Sequence, residues 1–229
     1  MSERCPRLWG PESHTVTPCQ SARSFNTTDP FWKQRAGSMA GTAAKSAPGE
    51  LLLPGAILLA SAAVIQLSLD GRLAGLALGP AAPTKPFGSF EAFYPHYLKE
   101  HSLPGTRLLH YIGTCAFVAL LLATHPGLAL CMLAALAAGV AVFPFLRAVP
   151  HGLFEFAVML GVYLLTGSRL VGSVRRAALP VVVAYSAAWV GHFFIERNRP
   201  ATFIYPSFSL MGDFAMLFGA VQAAVRGRA

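Results

Sequence analysis

The feature that most limits what this chain can become is the recurrence of apolar runs as long as a bilayer is thick. Leu51 to Leu69 is 19 residues with Gln66 as its most polar interior member, enough to cross a hydrocarbon core of about 30 Å at about 1.5 Å per residue. Further runs follow through LLHYIGTCAFVALLLAT, from about Leu128 to Leu146, from Leu153 to Thr166 and from Ala177 to Ile195. A last one, from about Phe208 to Val225, is interrupted by Asp213 and is read as interfacial or half-inserted. Only 12% of the residues are charged and 54% are hydrophobic, against a charged fraction of about a quarter in soluble domains. The expected fold is all-α and polytopic. It has about four spans in a core domain, an N-terminal hydrophobic helix and an amphipathic interfacial helix.

Residues 1–47 are rich in Ser, Thr, Pro, Gly and Ala and show no sustained apolar period, which predicts a disordered leader or targeting segment. Residues 48–72 form the hydrophobic helix, a signal anchor or a removable signal. Residues 73–86, with Pro80, Pro83 and Pro86 among small residues, predict a linker. Residues 87–229 form the membrane domain. It opens on SFEAFYPHYLKEHS, whose mixture of aromatics and charge predicts a helix lying against the membrane face with Tyr94 and Tyr97 at head-group level. Ser102 is then placed to cap the next helix, with Pro104 in its first turn.

The net charge of +8 is carried at the ends of apolar blocks and in the leader. It points to bilayer orientation and contact with anionic lipid, not to nucleic acid, for which no basic patch interleaved with aromatics exists. Cys5 and Cys19 lie in the leader, Cys115 and Cys131 in apolar blocks, and no C-x-x-C pair occurs, so neither a disulfide framework nor a zinc knuckle is expected.

Of seven histidines, His101, His110 and His192 sit at polar ends of apolar helices. His101 and His110 are separated by roughly 10 to 13 Å along a helix, a gap that two imidazoles bridge only if the turn before the helix folds back. His192 and Glu196 are i and i+4, which sets an imidazole beside a carboxylate. Two or three neutral imidazoles with a carboxylate suit ferrous iron while leaving positions open for oxygen and substrate. The competing reading of each histidine is an interfacial side chain satisfied by water and backbone. His151 and Glu155 repeat the i, i+4 spacing and are candidates for an additional ligand or for support of one, against a local contact at a helix start. His96, after Pro95, is a candidate supporting group or an interfacial side chain.

The segments FYPHYLKEHS, LLHYIGT, WVGHFFIERNRPATF and YPSFSLMGDF, in that order, resemble the DUF962 family, whose best-known type is the Mpo1-like 2-hydroxy fatty acid dioxygenase. The resemblance covers about Phe87 to Met216. It implies a multi-span membrane enzyme, usually of the endoplasmic reticulum in eukaryotes. The implied activity is an Fe(II)-dependent dioxygenase using O2 to shorten 2-hydroxy fatty acids by one carbon in α-oxidation, a step in sphingoid base breakdown. It makes His101, His110 and His192 the metal ligand candidates and gives Glu196, Asn198 and Asp213 motif positions as candidate catalytic residues. Arg107, Arg197 and Arg199 are candidates for drawing in the substrate carboxylate. Membrane lipid is the other expected partner.

The chain adds about a hairpin's length, including PHGLFEF and GSRLVGSVRR, relative to shorter relatives, so the histidines meet only if an even number of crossings separates them. The short run from Leu153 to Thr166 must therefore cross, leaving Arg169, Arg175 and Arg176 on the far side, against the usual preference for cytoplasmic basic residues. Two rival functions stand beside the dioxygenase. One is a non-catalytic membrane protein organising lipid or partner proteins. The other, a diiron desaturase, lacks the clustered H-x-x-H-H boxes it would need.

Overall fold

A computed structural model describes residues 48–70, 72–73 and 80–227; the expected leader over 1–47 lies outside these. The helices are α1 (Pro48–Leu69), α2 (Phe90–Glu100), α3 (Pro104–Thr124), α4 (Gly127–Val142), α5 (Leu153–Val171), α6 (Val174–Val190) and α7 (Pro206–Val225). A 3-10 turn over Phe143–Leu146 extends α4, a π-helical turn over Gly191–Glu196 extends α6, and a second 3-10 turn covers Ala201–Phe203. No strand occurs among the described residues. Five helices, α3 to α7 with their extensions, are long and apolar enough to cross a membrane.

Two differences from the sequence reading bear on topology. The segment expected to end at Thr166 continues to Val171, a 19-residue helix, because Gly167 and Ser168 are accommodated inside it and Gly172, at φ +68°, supplies the left-handed stop. The last segment is an uninterrupted 20-residue helix. Asp213 does not break it, because its carboxylate is satisfied inside the bundle by Tyr97 and His110.

The starts of α3, α5 and α7 and the ends of α4 and α6 gather at one end of the bundle. Gly152 N–H donates to the Phe203 carbonyl there, and Thr106 Oγ1 reaches the Gly191 carbonyl. Close packing of α3 on α6 sets the register: a Cβ on Gly113 would lie 3.1 Å from Ala187 Cβ, and one on Gly191 would lie 3.2 Å from Thr106. Small residues let the two backbones approach, as membrane helix pairs require. An aromatic and methionine core of Phe93, Tyr97, Phe143, Met159, Tyr205 and Phe208 lies beneath this end.

The interfacial helix α2 starts at Ser89, whose hydroxyl accepts from Ala92 N–H. It is held more deeply than its composition suggests. Tyr97, expected at head-group level, is 1% exposed. Its ring lies against α7 at Gly212, where a Cβ would stand 2.9 Å from it. Ser102 does not cap α3: Leu103 occupies the cap position without a side-chain bond, and Ser102 turns to a carboxylate described below. Over its described residues 80–86, the expected linker is an ordered strap. Ala82 N–H donates to the Arg147 carbonyl, Thr84 Oγ1 to the Pro150 carbonyl, and fully buried Lys85 to the Leu146 carbonyl.

The fold places Arg175 and Lys99 at opposite ends of the bundle, with α5 crossing between. In protein whose four native cysteines are replaced by serine, a single cysteine introduced at Lys99 or at Arg175 in sealed vesicles is expected to react with a membrane-impermeant thiol reagent from opposite sides. Labelling of both from the same side would contradict the crossing of α5.

Candidate metal centre

His101, His110 and His192 come from three elements and meet in one buried space. His101 ends α2, His110 lies in the second turn of α3, and His192 lies in the π-turn that closes α6. One ring nitrogen from each falls within 4.8 Å of the others, and the residues are 0%, 5% and 2% exposed. Ring centroids are 4.4, 4.6 and 5.1 Å apart, with the planes nearly perpendicular, so the rings converge at their edges and do not stack. The turn between α2 and α3 does fold back, and three buried histidines are positioned to hold a metal ion.

The hydrogen bonds decide which nitrogens face inward. His101 Nδ1 is 2.7 Å from the Tyr97 carbonyl, His110 Nδ1 is 2.6 Å from Asp213 Oδ1, and His192 Nδ1 is 2.7 Å from Asn198 Oδ1. Every partner is an acceptor, so each Nδ1 carries the proton and each Nε2 presents a lone pair. The Nε2 atoms of His101 and His110 are buried and have no hydrogen-bond partner. Orphaned buried acceptors are rare in folded proteins and point to a missing partner. A divalent cation fits: three neutral imidazoles, each oriented by an acceptor on the opposite nitrogen, are the ligand and support pattern of metal-binding histidines. Burial, and next the neighbouring His110, push the His101 pKa down to about 4, so this imidazole is neutral and available as a ligand near neutral pH.

Supporting groups link the elements in turn. Tyr97 accepts from His101 through its carbonyl and donates its hydroxyl to Asp213 Oδ1 at 2.6 Å. Burial and the Asp213 carboxylate raise the Tyr97 pKa well above the usual phenol value, which keeps the hydroxyl a donor. Asn198 accepts from His192 and donates to the Glu100 carbonyl and carboxylate at 2.8 and 3.0 Å, joining the end of α2 to the loop after α6. That loop turns back because Arg197 adopts a left-handed conformation, φ 57°, which lets Asn198 N–H donate to the His192 carbonyl. The π-turn re-aims His192 at the end of α6, a common use of π geometry at functional sites.

Several candidates stand elsewhere. Glu196 does not face the histidines. Its carboxylate accepts from Ser102 N–H and Oγ, Leu103 N–H and Thr106 Oγ1, because the free amides at the start of α3 offer a better site for an anion than a buried space beside neutral rings. Its i, i+4 spacing to His192 thus serves to clamp the His101 turn onto the π-turn. Arg107 donates Nε–H to the His101 carbonyl at 2.6 Å. Arg197 and Arg199 are exposed on the loop beyond. His151 and Glu155 do not pair and are not in the cluster. His151 is exposed and accepts from Leu153 N–H, while Glu155 is fully buried and accepts from Ser207 N–H and Oγ, fastening α5 to α7. His96 is exposed and lies on Phe87, ring centroids 5.2 Å apart. Sequence reasoning alone does not place Tyr97, Thr106 or Ser102 in the site. Tyr97 stands four residues before His101, a helical spacing that carried the signal for the first of them.

The histidine cluster opens onto an apolar cavity between α3, α4, α5, α6 and α7, whose lining includes His110, His192 and Asp213 at one end and Phe117, Met132 and Tyr163 further in. The fold and site thus define a polytopic helical membrane protein with a buried three-histidine centre at the mouth of an apolar chamber. The chain belongs to the Mpo1-like family: the family model described as 2-hydroxy-palmitic acid dioxygenase Mpo1-like matches residues 87–225, more than half of its length. No curated protein and no solved structure matches it.

Removing the acceptor on His192 is expected to loosen the site without unfolding the bundle. Asn198→Ala should weaken divalent metal affinity by about 10- to 100-fold, measured by titration of metal-free protein in detergent, while helicity is retained. An unchanged affinity would show that Asn198 does not orient His192. The metal-free protein should also lose stability as pH falls from 6.5 towards 4. Above that window His101 is neutral whether folded or unfolded; within it the unfolded chain takes up a proton that the folded site refuses. Thermal unfolding at stepped pH reads this, and a His101→Gln variant should lose that contribution.

Proposed function

We propose that the protein is an Fe(II)-dependent membrane dioxygenase that converts a 2-hydroxy fatty acid and O2 to the fatty acid one carbon shorter, a step of α-oxidation in sphingoid base breakdown. The observation that carries the proposal is a cluster of three buried histidines, two of which, His110 and His192, line an apolar cavity. Family membership supplies the substrate class.

Atom balance sets the reaction. One O2 and one 2-hydroxy acid yield the shortened acid, CO2 and water, with the bond between C1 and C2 broken. The four electrons lost by carbon are those that reduce dioxygen. Ferrous iron held by His101, His110 and His192 would supply the activation of dioxygen, a spin-forbidden reaction for organic groups alone, and three neutral ligands leave positions free for both reactants.

The chain's own residues bind and orient. The apolar cavity takes the acyl tail, which fixes the 2-hydroxy carboxylate at the histidine end and turns an encounter in two dimensions into a positioned reaction. Arg197 and Arg199, exposed beside the site, draw the carboxylate towards it, while Arg107, tied to the His101 carbonyl, adds positive charge at the same end. Burial of the histidines keeps water from the reacting carbon. Asp213 holds the His110 Nδ1 proton and so keeps the Nε2 lone pair facing inward. The site end of the bundle carries Lys85, Lys99, Arg107, Arg147, Arg197 and Arg199 against Arg169, Arg175, Arg176 and Arg226 at the other. That balance favours a cytosolic site, in keeping with the endoplasmic reticulum membrane.

The test is anaerobic loading with Fe(II), followed by oxygen and 2-hydroxypalmitate, with the product acid and O2 uptake measured together. Wild-type protein should form the one-carbon-shorter acid with one O2 consumed per product. His192→Ala should lose at least about 100-fold in rate and most of its bound iron. Full activity of His192→Ala with iron still bound stoichiometrically would overturn the assignment. Wild-type protein that binds no transition metal would instead favour a non-catalytic role in organising lipid or partner proteins.

A further inference from the structure

The cavity has a floor. Phe117 and Tyr163 line its inner end and are 4% and 1% exposed, and the Tyr163 hydroxyl donates to the Ala177 carbonyl at 2.9 Å. Below them, Leu121 and Leu128 are 4% and 0% exposed and belong to the same packed cluster, but they do not line the cavity. A Cβ on Gly167 would stand 3.0 Å from Leu128, so the helices close together at this level. The slot is therefore blind.

Its depth follows from the helices that line it. Phe117 is seven residues beyond His110 on α3, and Val181 is eleven residues before His192 on α6. At about 1.5 Å per residue, the floor lies roughly 10 to 16 Å from the imidazoles. Carbon–carbon bonds of about 1.5 Å at tetrahedral angles advance roughly 1.3 Å per carbon, so an extended tail of roughly 8 to 12 carbons fills that depth. Longer tails, that of 2-hydroxypalmitate included, still place the 2-hydroxy carboxylate at the histidines, but their far ends bend back or lie outside the slot and add no further contact.

We propose that Phe117 and Tyr163 set the acyl-chain length beyond which this protein gains nothing from further methylenes, by ending the tail channel about two to three turns below the metal centre. The inference rests on the dioxygenase reading for its substrate class and adds the residues that choose among substrates. Each methylene that finds apolar lining should raise kcat/KM or affinity about fourfold, until the tail meets the floor, after which the gain stops. Opening the floor moves that limit to longer chains. Phe117→Ala exposes the space down to Leu121, which is one helical turn deeper on α3. Ala135, 1% exposed and lining the slot from α4, offers the converse change, because Ala135→Leu fills it.

The experiment measures two quantities over a series of saturated 2-hydroxy acids of increasing length, for wild type, Phe117→Ala and Ala135→Leu. One is kcat/KM of the iron-loaded protein. The other is displacement of a fluorescent fatty acid from the metal-free protein. The gain per methylene should end at a defined length in wild type, at a length roughly four carbons greater in Phe117→Ala, and at a shorter length in Ala135→Leu. Both variants should bind metal as wild type does, since the changes lie two turns from the histidines. A limit at the same length in all three proteins would overturn the proposal. No turnover with any acid, but displacement limits that move as expected, would leave the floor standing and overturn the dioxygenase reading instead. Should Phe117→Ala fail to fold, Ala135→Leu alone still decides by the direction of its shift.

Discussion

Three imidazole lone pairs pointed at one another inside a water-excluded space are an arrangement a protein keeps only with something to hold them there. A buried acceptor without a partner forfeits its hydrogen bond to water, at about 1 to 3 kcal/mol each, and two of the three inward nitrogens are in that state. The rest of the structure can be traced from this constraint. Each ring is prevented from turning its lone pair elsewhere by an acceptor on its far nitrogen, and those acceptors come from the end of α2, the middle of α7 and the loop after α6. A ligand cation would convert the cost into a gain and so couple folding to metal binding.

The scaffolding serves the same end. Gly113 and Gly191 let α3 and α6 approach until His110 and His192 share a space, and Gly212 lets the Tyr97 ring lie on α7, where its hydroxyl reaches Asp213. A methyl group at Gly212 would press on that ring, an overpacking worth about 1 to 3 kcal/mol that falls on the Tyr97, Asp213 and His110 chain. Glu196 completes the clamp from outside by occupying the amides at the start of α3. An apolar chamber with a polar mouth and a buried ligand set is the general form of a small-molecule site.

Much of this was legible in the residues, for identifiable reasons. Apolar runs of membrane length require helices in lipid, because no other local structure satisfies the backbone there, and so the spans could be placed. The histidines stood out because they end apolar segments. Partners were harder. Spacing makes Glu196 a companion of His192, yet it says nothing of the Ser102 and Leu103 amides, over 90 residues distant, that Glu196 accepts from. Asp213 looked like an interruption of its helix, since its two donors lie on α2 and α3. Tyr97 looked interfacial because head-group aromatics and buried ones have the same sequence context. The π-turn has no signature in WVGHFFIE, and it decides where His192 points.

X-ray absorption at the iron edge of anaerobically loaded protein tests most directly the proposal that these three side chains together bind one iron ion. One iron per chain with three imidazole ligands is expected, and a shell reduced by one imidazole in His110→Ala. Iron bound with no imidazole in its shell, or a shell that His110→Ala leaves unchanged, would contradict it.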